Sequence, residues 1–284
     1  MSAVKMRRSE TPRIDVLIPA VEKDLKTLPR VIDAIRQQVK HPIGQILVVS
    51  PRSERIQRLC EQKRCRFVDE NTVLPITKKH INYRSRKWEK SGWLFQQLLK
   101  WSGDKLCAAD HFLVVDADTV LIRPHVFKVG GKTVFYCRRW TQPEYYRMYR
   151  RLLGKPPSSR LSFVTHYMLF NKKKLAQLKR TIESRHHTSW YEAILNNIDR
   201  TKPFAFSEFE TYGNFVYGMN PDGVIRKPAL NKSLRTPIGK LTPQKIRSYA
   251  RRYRSLSFHQ RKVYARKPAE ARLPFISRRP RAQR

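Results

Sequence analysis

Cysteine is scarce in this sequence of 284 residues. The four cysteines, at positions 60, 65, 107 and 137, form no C-x-x-C pair and no zinc-finger spacing, which argues against a thiol-rich metal site. No run of eighteen apolar residues occurs, and Asp15 and Pro19 interrupt the only apolar stretch near the N-terminus. Neither a membrane span nor a signal-peptide core is therefore predicted. We expect a cytoplasmic protein with reduced cysteines, whose only membrane contact is peripheral, at the inner face of the plasma membrane.

Acidic residues are also few. The 22 Asp and Glu stand against 60 Lys and Arg, which leaves a formal net charge of +38. Such a field attracts polyanions, namely nucleic acid, an anionic bilayer, or an acidic saccharide or lipid, and charge alone does not choose among them. The content of 40% hydrophobic and 11% aromatic residues excludes a disordered chain. The length suits one large α/β domain.

The first half of the chain alternates between predicted strands and helices. Strands are predicted at 13–19, 43–49 and 65–68, with an amphipathic helix opening near Thr27 and another capped by Ser53. A further helix is predicted at 92–101. Strand, helix, strand, helix, strand at this spacing indicates a parallel, doubly wound sheet.

The most informative stretch is FLVVDADTVLIRP, residues 112–124. Four consecutive apolar residues predict a buried strand, and Asp116 and Asp118 follow at its carboxyl end. Residues at i and i+2 of an extended segment point the same way, so both carboxylates can face one point outside the sheet, where ligands of open α/β sheets bind. A hard divalent cation holding a diphosphate fits this pair. The alternative is that both aspartates are ordinary turn or helix-cap residues.

The second half is predicted to be mixed. A strand at 132–137 and a helix at 143–153 precede a breaker-rich loop at 154–160. Helical patterns follow at 172–184 and 188–197, and Ser207 is a plausible cap for a helix carrying Glu208 and Glu210. From Asn231 onward the sequence is basic and poor in apolar residues.

Three short runs, SGWLFQQLLK, VVDADT and SEFETYGNF, occur in this order within that frame. Together with the order of elements they make residues 13–260 resemble the GT-A glycosyltransferases, and within them a bacterial group of uncharacterised glycosyltransferase-like proteins associated with cell-surface polysaccharide genes. The resemblance implies a mixed, mainly parallel sheet flanked by helices. It divides the chain into a basic leader (1–12), a nucleotide-binding half (13–125), an acceptor half (126–260) and a basic tail (261–284).

The resemblance also implies a reaction. A sugar would move from a nucleotide-sugar, UDP-sugar being favoured, to a saccharide or lipid-linked acceptor. Asp118, with Asp116, would bind Mn²⁺ or Mg²⁺ across the two phosphates, and the ion would neutralise the charge of the departing diphosphate. Asp116 would alternatively contact the ribose or a metal-bound water. His259, in LSFHQ, is the candidate for a further ligand, the alternative being a structural histidine.

Five other residues are predicted to contact the nucleotide-sugar. Pro19 would lie under the base, and Asp69, at the end of the third strand, would accept from the uracil or ribose unless it is a turn residue. Lys90, Trp93 and Gln97, on or near the helix that precedes the Asp116 strand, would face the diphosphate or the sugar. Trp93 is equally plausible as a core residue.

Glu208 and Glu210 are the candidates for the base that deprotonates an acceptor hydroxyl. Residues two apart on a helix diverge, so at most one faces the site, and Glu208 is preferred because it opens the element. An enzyme that retains stereochemistry needs no such base, and Glu208 would then contact sugar or acceptor. His166 and Tyr167 could line the acceptor side, with a structural role as the alternative for each.

Two other functions compete with this one. A haloacid-dehalogenase-like phosphatase would use Asp116 as nucleophile and Asp118 as acid and base, but the downstream Asp199 and Asp222 lie in no Gly-Asp-x-x-x-Asp run. A nucleic-acid-binding protein would explain the pI of about 10.7 and the run YYRMYRR at 145–151. It would leave the paired carboxylates unexplained, and no recognised nucleic-acid motif supports it. No specific nucleic acid is therefore expected as a partner.

Overall fold

The structure, a computed structural model, describes residues 11–259. The predicted basic tail and residues 1–10 of the predicted leader lie outside this range. The strands, in chain order, are β1 (Ile14–Pro19), β2 (Ile43–Ser50), β3 (Arg66–Asp69), β4 (Arg84–Ser85), β5 (Trp88–Glu89), β6 (His111–Val115), β7 (Thr119–Leu121), β8 (Lys128–Val129), β9 (Lys132–Cys137), β10 (Tyr167–Asn171), β11 (Val224–Pro228), β12 (Asn231–Ser233) and β13 (Ser255–Ser257).

Helices separate most of the longer strands. In chain order they are α1 (Leu28–Gln38), α2 (Glu54–Gln62), α3 (Ser91–Trp101), α4 (Gly103–Leu106), α5 (Pro143–Leu153), α6 (Lys172–His186), α7 (Trp190–Asn197), α8 (Glu208–Met219) and α9 (Pro243–Ala250). Local sequence accounts for several of their ends: Pro29 lies in the first turn of α1, and the hydroxyls of Ser53 and Ser207 accept backbone N–H groups at the starts of α2 and α8.

The central sheet has five strands in the order β10-β6-β1-β2-β3. The pairs β1–β2, β1–β6 and β2–β3 are parallel, whereas β10 runs antiparallel to β6. All six residues of β1 are buried, as a strand covered by helices on both faces requires. The expected mixed, mainly parallel sheet flanked by helices is thus confirmed.

Two hydrophobic cores cover the two faces of this sheet. Alternate residues of β6 divide between them: Val114 packs with α3 and with α5 to α8, whereas Leu113 and Val115 pack with α1, α2 and β13. Lys100, Asp116 and Glu208 are brought together where α3, β6 and α8 meet at the carboxyl edge of the sheet.

The region from Asn231 to residue 259 is more structured than its composition predicts. β12 pairs parallel with β13, and β13 pairs antiparallel with β7, which directly follows Asp118. These strands were hard to predict because β12 and β13 have three residues each, and Leu256 is the one large apolar residue in β13. Leu256 is nevertheless fully buried, so a short strand anchors this part of the chain beside the Asp116 strand.

Within residues 11–259, no helix is both long and apolar enough to cross a bilayer.

Candidate active site

A buried lysine joins the helix before the Asp116 strand to the helix that begins at Glu208. Lys100, in the last turn of α3, places its Nζ 2.6 Å from Oδ1 of Asp116 and 2.7 Å from Oε1 of Glu208. Its side chain is 5% exposed and that of Glu208 is 4% exposed. Burial alone would lower the pKa of Lys100, but the two carboxylates outweigh it and raise that pKa. Lys100 is therefore a permanently charged bridge.

Asp116 is held on its other side by His166. Its Oδ2 accepts from Nδ1 of His166 at 3.0 Å, and its backbone N–H donates to the carbonyl of His166 at 2.9 Å. Burial would raise the pKa of Asp116, but Lys100 and His166 outweigh it and hold this pKa below its ordinary value. Both oxygens of this carboxylate are thus hydrogen-bonded in its ionised form.

The backbone of His166 is strained. Its φ is +69°, in the left-handed region that residues other than glycine rarely adopt. Burial lowers the pKa of its imidazole to about 4, which keeps the ring neutral. Strain of this kind persists where the surrounding structure imposes it, often at functional sites. Here it brings the imidazole of His166 to Asp116 and to within 4.7 Å, between ring centroids, of His259.

Asp118 pairs with His259, which lies 141 positions later in the chain. Nδ1 of His259 is 2.6 Å from Oδ2 of Asp118, and the backbone N–H of Phe258 donates to the carbonyl of Asp118 at 2.9 Å. Burial would raise the pKa of Asp118, but the hydrogen bond with His259 outweighs it and lowers this pKa. The antiparallel pairing of β13 with β7 produces this contact.

These contacts form one continuous row of side chains, which we call the carboxylate cluster: Glu208, Lys100, Asp116, His166, His259 and Asp118. Counting the imidazoles as neutral, it has three carboxylates against one ammonium, so it is formally negative by two charges in a chain of net +38. Its Asp118 end is the open one, since that side chain is 28% exposed against 4% for Glu208. A cation from solution would meet the cluster at Asp118.

The donor atoms at the open end suit the divalent metal that the resemblance implies. Nδ1 of His259 and Oδ2 of Asp118 face each other, so both atoms could bind one divalent ion if that ion replaced the proton between them, whereas Nε2 points away from Asp118. Among residues 11–259, Oδ1 of Asp118 accepts one hydrogen bond, from the Thr119 hydroxyl at 3.4 Å. Residues 11–259 contain no group of three or more His, Cys, Asp or Glu side chains arranged to hold a metal ion. Two protein donors completed by substrate phosphates and water would still match Mg²⁺ chemistry.

Two of the predicted nucleotide contacts lie beside this cluster. The Gln97 amide oxygen accepts from the backbone N–H of Glu208 at 3.3 Å, while its Nε2 is buried and has no hydrogen-bond partner among residues 11–259. The carbonyl of Pro19 accepts from the side chain of Gln96 at 3.4 Å. Both residues are thus placed at the carboxyl edge of the sheet, next to β1 and β6.

Three predicted contacts lie elsewhere. Asp69 accepts from Arg52 at 2.8 Å and from the N–H of Asn71 at 3.0 Å, which are the contacts of a turn residue. Trp93 packs against Phe204 in an edge-to-face pair. The ammonium of Lys90 lies 4.8 Å from the centroid of the same Phe204 ring. With a rise of about 1.5 Å per residue, Trp93 is about 10 Å along α3 from Lys100.

A base that deprotonates an acceptor hydroxyl must be accessible to the acceptor. Both glutamates of α8 are buried. Glu210 is fully buried and accepts hydrogen bonds from Ser162 and Asn214, and burial raises its pKa to about 7. Glu208 faces the cluster, but its Oε1 accepts from Lys100; burial raises its pKa as well. The structure therefore gives Glu210 a place in the core and Glu208 a place as the anchor of Lys100.

Lys100 is the site residue that sequence reasoning missed. It lies in the run LLKW, where a lysine on an amphipathic helix is expected to reach solvent. A signal was available, because Lys100 follows Gln97 by three positions and Trp93 by seven and so shares the helix face of both. The left-handed backbone of His166 could not be predicted, because a histidine in a sequence does not indicate a positive φ.

The arrangement of the sheet and the helices is that of a known fold. A mainly parallel sheet with one antiparallel strand, helices on both faces, and an Asp-x-Asp at the carboxyl end of β6 is the fold of the GT-A glycosyltransferases. The chain belongs to a family of unknown function, DUF6492, whose model matches residues 14–235. His259 lies outside the matched residues. No curated protein matches the sequence.

A solved structure supports the assignment of the fold. The apo structure of WbbM, a bifunctional glycosyltransferase, is similar with a TM-score of 0.53 and 12% identity; the match covers 88% of this chain and 46% of that one. The chain thus spans about half of that protein. Weaker similarity is found to mouse xyloside xylosyltransferase 1, with a TM-score of 0.46, 14% identity, and 86% and 97% of the two chains covered.

Proposed function

We propose that this chain is a metal-dependent glycosyltransferase that moves a sugar from a nucleotide-sugar to a saccharide or lipid-linked acceptor. The observation that carries the proposal is the carboxylate cluster, whose open end lies at the carboxyl edge of a parallel sheet, where ligands of such sheets bind. UDP as the nucleotide follows from the resemblance to the GT-A glycosyltransferases.

The cluster has a distinct role for each of its ends. Asp118 and His259 would hold Mn²⁺ or Mg²⁺ together with the diphosphate, and the bound ion would offset the charge that develops on the leaving group. At the closed end, Lys100 is fixed between Asp116 and Glu208, and its charge opposes the rise in pKa that burial imposes on both carboxyl groups. Asp116 and His166 fix each other's orientation through two hydrogen bonds. We propose Glu208 as a positioning residue for Lys100.

Asp118→Ala tests this proposal, with Asp222→Ala as the matched control. Asp222 is exposed, on a turn after α8, and its loss removes the same charge. For the native chain we expect UDP with Mn²⁺ to raise the melting temperature, and we expect slow Mn²⁺-dependent hydrolysis of at least one UDP-sugar. Asp118→Ala should lose both responses while its far-UV circular dichroism stays native. If Asp118→Ala responds to UDP and Mn²⁺ as Asp222→Ala does, the proposal fails.

We also propose that the net charge of +38 holds the enzyme to an anionic membrane surface, where a lipid-linked acceptor would be found. Attraction between exposed charges is screened by salt, because the Debye length falls from about 10 Å at 0.1 M to about 3 Å at 1 M. Sedimentation with vesicles containing phosphatidylglycerol should therefore decrease strongly as sodium chloride is raised over this range. Binding that is unaffected by salt would contradict this part.

A further inference from the structure

Arg138 is a partly buried cation for which residues 11–259 provide no ion pair. Its Nε and Nη2 are shielded from solvent and have no hydrogen-bond partner among residues 11–259. Burial lowers the pKa of its guanidinium, while the neighbouring Tyr167 and Asp116 act in the opposite sense. An arginine stays charged in proteins, and burying unpaired charged N–H groups is strongly unfavourable. A partner for these two N–H groups is therefore missing.

Among residues 11–259, no carboxylate on either side of β9 accepts hydrogen bonds from these N–H groups of Arg138. Arg138 directly follows β9, so Cys137 and Arg138 point to opposite faces. Glu210 acts on the Cys137 side, where it is one of the charges that affect the Cys137 thiol. On the Arg138 side, Asp116 is the carboxylate whose charge acts on the guanidinium, and its two oxygens already accept from Lys100 and His166.

The position of Arg138 relative to the cluster indicates which substrate would carry the anion. The positive charge of Arg138 lowers the pKa of His166. Arg138 therefore lies within electrostatic reach of Asp116 and His166, in the middle of the cluster. The proposed metal and diphosphate occupy the open end, at Asp118 and His259. Arg138 also belongs to the second half of the chain, and its backbone is bridged to Ser162 by two hydrogen bonds of 2.8 and 2.9 Å. An acceptor approaching from this half would meet Arg138.

We infer that Arg138 binds an oxyanion, a carboxylate or a phosphate, carried by the acceptor. A guanidinium presents its N–H groups in a planar fork that matches two oxygens of either group, which is the geometry in which arginine binds such anions. The binding of an oxyanion follows from Arg138 alone, whereas the assignment of that oxyanion to the acceptor rests on the proposed function.

Small probes with at most one anionic group test the inference, because a chain of net +38 binds any polyanion. Binding of methyl β-glucuronide, glucose 6-phosphate and methyl β-glucoside would be measured by ligand-observed NMR in about 0.3 M sodium chloride, where long-range attraction is screened. The native chain should bind at least one anionic probe about tenfold more tightly than the neutral glucoside. The preferred probe distinguishes a carboxylate from a phosphate.

Arg138→Gln should remove this preference, and Arg139→Gln, which deletes the same charge from an exposed neighbouring position, should keep it. Urea unfolding is the second readout: Arg138→Gln should be at least as stable as the native chain, because it removes an unpaired buried charge. An unchanged preference in Arg138→Gln, or a large loss of its stability, would overturn the inference. Binding of UDP with Mn²⁺ to the native chain is measured separately, so its failure would count against the proposed function.

Discussion

Glu210 makes the stability of this protein dependent on pH in a way that one substitution should remove. Its side chain is fully buried, and its oxygens accept from the Ser162 hydroxyl and, at 2.8 Å, from the Asn214 amide. Burial raises its pKa from 4.5 to about 7. Glu210→Gln keeps the shape of the side chain, can still accept from Asn214, and can donate to the oxygen of Ser162.

The stability changes with pH because the folded chain binds the Glu210 proton more tightly than the unfolded chain does. Below about pH 4.5 Glu210 is protonated in both the folded and the unfolded chain, and the raised pKa stabilises the fold in full. Between about pH 4.5 and 7 the unfolded chain loses this proton first, so the stabilisation is lost as the pH rises. At about 1.4 kcal/mol per pKa unit, the two pKa values correspond to about 3 kcal/mol.

Urea unfolding at about pH 5 and pH 8 measures this effect, with Glu54→Gln as the control. Glu54 is 81% exposed, and its ion pair with Arg58 lies on the surface. The free energy of unfolding of the native chain and of Glu54→Gln should fall between the two pH values by up to about 3 kcal/mol more than that of Glu210→Gln. Parallel changes in Glu210→Gln and the native chain would refute this account of the buried carboxyl group.

Three further sets of variants test other parts of the structure by urea or thermal denaturation. Lys100→Met should lower the free energy of unfolding by about 3–5 kcal/mol, because it leaves two buried carboxylates without their cation, and adding Glu208→Gln should restore part of the loss. Equal stability of the single and double variants would contradict the bridging role. His166→Gly should be about 1 kcal/mol more stable than His166→Ala, since φ is +69° there; the reverse order would argue against strain. Gly213→Ala should cost about 1–3 kcal/mol, because the added Cβ would lie 2.3 Å from Cγ of Phe163; a neutral effect would mean that this ring can move.

The sequence was most informative where apolar residues run continuously. β1, β2 and β6 were predicted within one residue at each end, because a strand buried on both faces has an almost uninterrupted apolar sequence. The stretch at 161–170 was harder to interpret, since it is apolar along most of its length but forms a strand only from Tyr167. The edge strand β10 therefore became evident only from its antiparallel pairing with β6.

The candidate site was predictable in part. Asp116 and Asp118 follow a recognisable strand, and Glu208 follows a recognisable cap, so their positions at element ends could be predicted. His259 was named through the resemblance as a further ligand, although it lies 141 positions from Asp118. Lys100 was not predicted, because the helix face that it shares with Gln97 does not specify that it turns inward between two carboxylates.

The pairing of β13 with β7 has a consequence for how the protein matures. Because His259 reaches Asp118 only through this late strand, a ribosome must synthesise about nine-tenths of the 284 residues before the open end of the site can be assembled. A fragment trimmed to the shared family region, 14–235, would retain the five-stranded sheet and the Lys100 bridge but lack an imidazole at Asp118. Fragments designed for expression from the family boundaries alone would thus lack half of the proposed metal-binding pair.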